Sequence, residues 1–194
     1  MSEWDEYAAG WDGDPAARAY ADAAFDSLMT LAREIDFRVD GAAACDFGCG
    51  TGLLTEHLAQ RCVTIDAVDT SPAMLDVLGE KIDRLGWGHV RRFTHVPDRS
   101  GEYDLIVCSS VLAFVDDYAA TVDLLCDRLA PGGLLVEWDW EENPVDAEPF
   151  GMTAEGIRRT LEHAGLELVT VRRAFEVRIE GETMKPLMGS GRRP

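Results

Sequence analysis

The run Cys45-Asp46-Phe47-Gly48-Cys49-Gly50-Thr51-Gly52-Leu53 sets three alternating glycines just behind an acid, and a second acid, Asp69, closes the next apolar stretch. Glycines so placed leave bare backbone for a ligand to lie against, because only a residue without Cβ takes the dihedrals of such a turn freely. A helix beginning at Leu53 points its first unpaired N–H groups into the same turn. A carboxylate at the end of the neighbouring strand adds two acceptor oxygens beside that turn. The chemistry indicated is capture of a nucleoside-bearing cofactor. A dinucleotide site has the form Gly-x-Gly-x-x-Gly, its last glycine allowing close helix packing beside a pyrophosphate. Counted from Gly48, that position holds Leu53, and the third glycine comes one residue early, at Gly52. The dinucleotide frame fails.

Two other stretches carry reactive or recognitive residue types. In Glu137-Trp138-Asp139-Trp140-Glu141-Glu142, strand alternation puts Trp138 and Trp140 on one side and Glu137, Asp139 and Glu141 on the other. Aromatic faces with carboxylates nearby suit a cationic or amine-bearing molecule; tryptophans in the core with the acids on a solvated loop edge is the alternative. Trp4-Asp5-Glu6-Tyr7-Ala8-Ala9-Gly10-Trp11-Asp12 packs aromatics and acids ahead of any regular pattern, either as a lid or as an apolar plug on a sheet edge. The five cysteines, 45, 49, 62, 108 and 126, form no Cys-x-x-Cys and have no histidine at metal spacing, so free thiols and no metal are expected.

These residues need a scaffold of alternating strands and helices. Strands are predicted at 41–47, 61–69, 89–94, 103–109 and 134–138. Asp14-Pro15 and Ser71-Pro72 each pair an N-cap with proline at the first helical position. Apolar stripes follow at Phe25/Leu28/Met29/Ala32, Leu75/Leu78/Gly79/Ile82, Val122/Leu125/Cys126/Leu129 and Ile157/Thr160/Leu161/Ala164. Glu167 to Arg173 and Ala174 to Ile179 lack an intervening helix, so they are expected to pair antiparallel. The reading is an α/β Rossmann-like, doubly wound seven-stranded sheet, mostly parallel, with one antiparallel strand in a C-terminal hairpin. Residues 1–40 form an N-terminal helical cap and 41–194 the binding domain, in one structural domain overall.

The 194 residues carry a net charge of −18, with 36 acids against 16 Arg and 2 Lys. Such a field repels nucleic acid and anionic membranes, which need a basic patch to displace counterions. The arginine pairs 91-92, 158-159, 172-173 and 192-193 are dispersed rather than gathered into a groove. Neither an 18-residue apolar run nor a signal peptide occurs, so a cytoplasmic protein, monomer or homodimer, is expected.

With these residues in view, nearly the whole chain resembles the class I S-adenosylmethionine-dependent methyltransferases, in particular their small-molecule, UbiE-like group. Asp46 through Gly52 is similar to motif I and Val68-Asp69-Thr70-Ser71-Pro72-Ala73-Met74-Leu75 to the acidic motif after strand two. Tyr103 through Val107 resembles motif IV, and Leu129-Ala130-Pro131-Gly132-Gly133 the turn before strand five. The resemblance implies S-adenosylmethionine as cofactor, held by Asp46, Gly48, Cys49, Gly50, Thr51, Gly52, Asp69, Thr70 and Met74. Cys108 would contribute from strand four, and Val96 with His95 or Asp98 would serve the adenine. It also implies methyl transfer to a small-molecule acceptor, with Tyr7, Trp11, Ser110, Phe114, Trp138, Asp139 and Trp140 as pocket candidates. A nicotinamide-dependent oxidoreductase and a non-catalytic cofactor-binding module are the competing readings.

Overall fold

A computed structural model describes residues 3–142, 151–179 and 182–194. Its strands make a seven-stranded sheet in the order β3-β2-β1-β4-β5-β9-β6, with β7 and β8 as a separate two-stranded sheet. The chain folds as two compact units, Met1–Asp98 and Arg99–Pro194.

In the first unit a 3-10 turn, Glu3–Glu6, and a short helix α1 (Ala8–Trp11) lead into α2 (Pro15–Glu34). Then β1 (Ala43–Phe47), α3 (Leu53–Leu58), β2 (Thr64–Val68), α4 (Pro72–Leu85) and β3 (Val90–Phe93) alternate, the strands parallel with Phe47 level with Val68 and Val68 with Phe93. Both Pro-led helices start as their sequences require: the Asp14 carboxylate accepts from the N–H of Ala16 at 2.8 Å, and Ser71 Oγ from that of Met74 at 3.2 Å. Gly86, at φ +69, ends α4 in the left-handed conformation. The core lies on the inner side of these helices, with Leu28, Leu58, Ile65, Ala67 and Leu78 fully buried.

In the second unit β4 (Tyr103–Ser109) runs into a loop with a 3-10 turn at Leu112–Phe114, then α5 (Tyr118–Arg128) and β5 (Leu129–Asp139), parallel to β4. The Pro131-Gly132-Gly133 stretch, read from sequence as the turn before a strand starting at Leu134, lies inside β5 as an irregularity: Leu129 pairs with Tyr103 and pairing resumes at Leu134 opposite Leu105. After α6 (Ala154–His163), ended by Gly165 at φ +81, comes β6 (Glu167–Arg173).

The expected pairing of β6 with residues 174–179 is corrected by the structure. Val177–Ile179 is β7 and pairs with β8 (Glu182–Met184), whereas β6 pairs antiparallel with β9 (Leu187–Arg192), which also lies antiparallel to β5. Thus β9 is the single reversed strand of the expected fold. Its glycines hid it. A Cβ on Gly189 would meet Ile157 Cγ2 at 2.5 Å, and one on Gly191 would meet the Leu166 Cβ at 2.8 Å, so close packing demands residues that weaken a strand signal.

Candidate active site

The first unit assembles the glycine turn. Gly48 and Cys49 both donate their N–H to the carbonyl of Val68, pinning the turn to the end of β2. Gly52 is left-handed (φ +87), and a Cβ there would sit 2.5 Å from Leu78 Cδ1; nothing lies within 4 Å of the corresponding position on Gly50. The turn is therefore forced to be glycine where it packs and is bare where it faces outward.

Asp69 joins that turn to the next helix. One carboxylate oxygen accepts from Gly50 N–H and the other from Ser71 N–H, each at 2.8 Å. A carboxylate oxygen has two lone pairs, so each keeps one for a further donor. Partial burial raises the Asp69 pKa, against the lowering effect of the two backbone donors, and the nearby Asp5 adds repulsion. Asp46 is fully buried; Thr55 Oγ1 donates to its Oδ2 at 2.6 Å, and its Oδ1 has no partner. Burial pushes its pKa up to about 7, with Asp69 reinforcing the shift. An unpartnered buried carboxylate oxygen under a turn is costly unless a ligand completes it.

The remaining predicted cofactor contacts are graded by position. Thr51 is buried and donates from Oγ1 to Asp12 Oδ1 at 2.6 Å. Cys49 is buried, with its thiol pKa raised first by burial and then by Asp46 and Asp69, which makes it an inert thiol rather than a nucleophile. Met74 is 3% exposed, on the inner face of α4, and Thr70 is exposed. After β3, His95 and Asp98 are exposed and Val96 half-buried.

Sequence reasoning missed how the N-terminal segment reaches this turn. Ser71 Oγ donates to Asp5 Oδ1 at 2.6 Å, while Asp12 meets both Thr51 and Lys81. The Trp4 ring centroid lies 6.0 Å from that of Tyr7 and 6.3 Å from that of Trp11. Tyr7 is exposed and Trp11 half-buried.

The second unit holds Cys108, Ser110, Phe114 and the Trp-acid run. Cys108 is fully buried in β4, opposite Glu137. Ser110 is held at φ +54, an unfavourable conformation for a side-chain-bearing residue, and donates its N–H to the Trp138 carbonyl at 2.7 Å. Asp139 accepts from Leu112 N–H at 3.2 Å and Ala113 N–H at 3.4 Å, so its carboxylate shapes the loop after β4. Phe114 is 42% exposed on that loop.

Trp138 is core, as one of the two sequence readings held, but its acidic neighbours are not a solvated edge: Glu137 and Asp139 are both fully buried. Tyr118 donates to Glu137 Oε1 at 2.8 Å, and Glu137 Oε2 is unpartnered. Burial pushes Glu137 up to about 8, Tyr118's hydrogen bond opposing and Asp139 reinforcing the shift, and pushes Asp139 up to about 7. Trp140 and Glu141 are half-buried, and Arg173 grips Glu141 with both Nε and a terminal nitrogen, at 2.6 and 3.2 Å. Among the described residues no group of histidines, cysteines and acids could hold a metal, and no helix is long and apolar enough to cross a membrane.

A Gly-x-Gly-x-Gly turn on β1, an acid at the end of β2 and a parallel sheet carrying one reversed strand define a Rossmann-like protein of the nucleoside-cofactor class. Known proteins narrow the class. Residues 45–135 match the family described as Methyltransferase domain. The chain is 29% identical over 140 residues to the ubiquinone biosynthesis O-methyltransferase of Psychrobacter cryohalolentis, a match covering 69% of this chain and 52% of that protein. The chain spans about half the length of the curated relatives it matches. The N-methyltransferase NodS from Bradyrhizobium japonicum, solved with S-adenosyl-L-homocysteine, superposes with a TM-score of 0.67 at 20% identity, over 94% of this chain and 90% of that one. A chain of the complex between the Haloferax volcanii Trm112 methyltransferase activator and a methyltransferase superposes with a TM-score of 0.80 at 16% identity, over 100% of this chain and 99% of that one. The match over residues 45–135 and the shared fold make the chain similar to the S-adenosylmethionine-dependent methyltransferases.

The residues present fit that family's cofactor. Asp69 retains acceptor capacity for two hydroxyls, and the orphaned Asp46 oxygen suits an ammonium donor.

Proposed function

We propose that this chain moves a methyl group from S-adenosylmethionine to a small-molecule acceptor. The observation that carries the reading is the Asp69 carboxylate, fastened by Gly50 and Ser71 beside a bare glycine turn, with an unpartnered oxygen of Asp46 buried beneath it. Bound S-adenosylmethionine would supply a methyl group on a sulfonium, open to in-line displacement. The protein's part is alignment and exclusion of water, since displacement of this kind gains most from holding the reacting atoms in line.

In this reading Asp69 takes the ribose hydroxyls, Asp46 faces the ammonium end, and the backbone from Gly48 to Gly52 lies against the cofactor. Thr70, Met74, Val96 and His95 or Asp98 serve the adenine side. Acceptor contacts come from the second unit's loop after β4, where Ser110 and Phe114 lie, and from Trp140. Asp139 acts on the acceptor indirectly: both its oxygens already receive N–H groups of that loop, so it sets the loop's shape. A donor-turnover screen against amines, phenols and carboxylic acids tests the reading. Methyl transfer to one of them supports it; S-adenosylmethionine binding without turnover of any acceptor leaves a binding module instead.

A partner-assisted site is a second reading, supported by the full-length superposition on a chain solved with a methyltransferase activator. Activity that rises on adding a Trm112-type protein, with the two eluting together, would favour it over a self-sufficient enzyme.

A further inference from the structure

Lys81 is one of two lysines in a chain that otherwise uses arginine for its basic residues. It is buried on α4, at 3% exposure, where the stripe Met74, Leu78, Lys81 follows helical spacing. Its ammonium lies 2.7 Å from Asp12 Oδ2 and 2.7 Å from Glu56 Oε1, ion-pair contacts without aligned hydrogen bonds. Asp12 follows α1, and Glu56 is on α3, the helix launched by the glycine turn. The other oxygen of Asp12 receives the hydroxyl of Thr51, a residue of the turn itself. Three elements that border the cofactor turn therefore converge on one buried cation.

The electrostatics give that cation a specific task. Without it, the Asp12 and Glu56 carboxylates would confront each other in a partly desolvated space, a cost that burial magnifies. With it, Asp12 can approach α3 and α4 and still hold Thr51. A compact ammonium places one point of charge between two acids, which a planar guanidinium does less well in a confined space. Ser71 and Asp5 make a second tie of the same segment to the start of α4, two residues from Asp69.

We propose that Lys81 is a positioning residue for cofactor binding: by bridging Asp12 and Glu56 it locks residues 4–12 onto Thr51, so that the N-terminal segment becomes a wall of the cofactor pocket. The role in binding rests on the methyltransferase reading; the lock itself does not. Cofactor capture then depends on a side chain that touches no cofactor atom, and closing of the segment and occupancy of the turn favour each other.

The test combines Lys81→Met, Asp12→Asn and the double variant in the full chain, each first checked for a cooperative melt. Affinity for S-adenosylhomocysteine is measured by calorimetry, and exchange of amides 4–12 by mass spectrometry. Each single variant is expected to weaken binding by about 10-fold and to speed exchange of the segment, and the double variant to be no worse than the weaker-binding single, because both cut one unit. In turnover, the KM for S-adenosylmethionine should rise with kcat at saturation kept, and Lys81→Arg should recover part of the loss. Should Lys81→Met fail to fold, Asp12→Asn carries the test, its site being partly exposed. Affinity within about 2-fold of the parent in a folded Asp12→Asn protein, or additive losses in the double variant, would overturn the proposal. If the parent protein binds no S-adenosylhomocysteine, the methyltransferase reading fails, and faster exchange of residues 4–12 in the variants still decides whether Lys81 locks the segment.

Discussion

Asp69 shows how much one residue can be asked to do. Its two oxygens already organise the backbone on both sides, at Gly50 and Ser71, and each has a lone pair left over. Asp69→Ala is expected to weaken cofactor binding by about 1–3 kcal/mol through loss of charge-assisted hydrogen bonds, while the protein still melts cooperatively; calorimetry on the variant checks this. The buried carboxyls make a second prediction. Asp46, Glu137 and Asp139 have folded-state pKa values pushed up to about 7, 8 and 7, mainly by burial. The folded state then binds more protons than the unfolded one across the interval between the ordinary carboxyl range and those values. Their contribution to stability is fully present below about pH 4 and is lost as pH rises through about 7 to 8. The melting temperature of the ligand-free protein should fall across that window, and Glu137→Gln should flatten the fall. At this scale the glycine turn was legible, because steric need dictates the residue type where the turn packs. Asp5, Asp12 and Lys81 were not: their partners lie 66, 39 and 69 residues away along the chain, and no local period announces such a contact, although a lone lysine on an apolar stripe was a clue.

The elements were largely readable where one signal ruled. Ser71-Pro72 and Asp14-Pro15 begin helices as capping chemistry requires, and the apolar run of β4 is buried along most of its length. Reading failed where packing overrode propensity. On α2 the buried face runs through Ala21, Ala24, Leu28, Leu31 and Ala32, while Phe25 turns aside to stack on His57 at 4.8 Å. At β9, Leu-Met-Gly-Ser-Gly-Arg has the composition of a loop, yet the glycines are what allow α6 and the 166–169 stretch to approach. Gly189→Ala should therefore destabilise the fold by roughly 1–3 kcal/mol, the added methyl meeting Ile157 at 2.5 Å and Glu137 Oε1 at 3.0 Å. Urea denaturation of the variant against the parent measures it, and an unchanged midpoint would mean that the strand yields more easily than its contacts imply.

For the molecule as a whole, a net charge of −18 is the dominant long-range property. Self-repulsion of that size disfavours the compact state and is relieved by screening, so the melting temperature should rise as ionic strength goes from about 0.01 M toward about 0.15 M, where the Debye length falls from roughly 30 to 8 Å. The same field favours a cationic cofactor over an anionic one. That preference, the Leu53 position and the Asp69 clamp all bear on a single claim, that the glycine turn holds S-adenosylmethionine rather than a dinucleotide. Calorimetric titration of the purified protein with S-adenosylmethionine, S-adenosylhomocysteine and NAD tests it most directly. Saturable binding of the first two, with no heat from NAD, is the predicted result; tight NAD binding with neither of the others bound would contradict it.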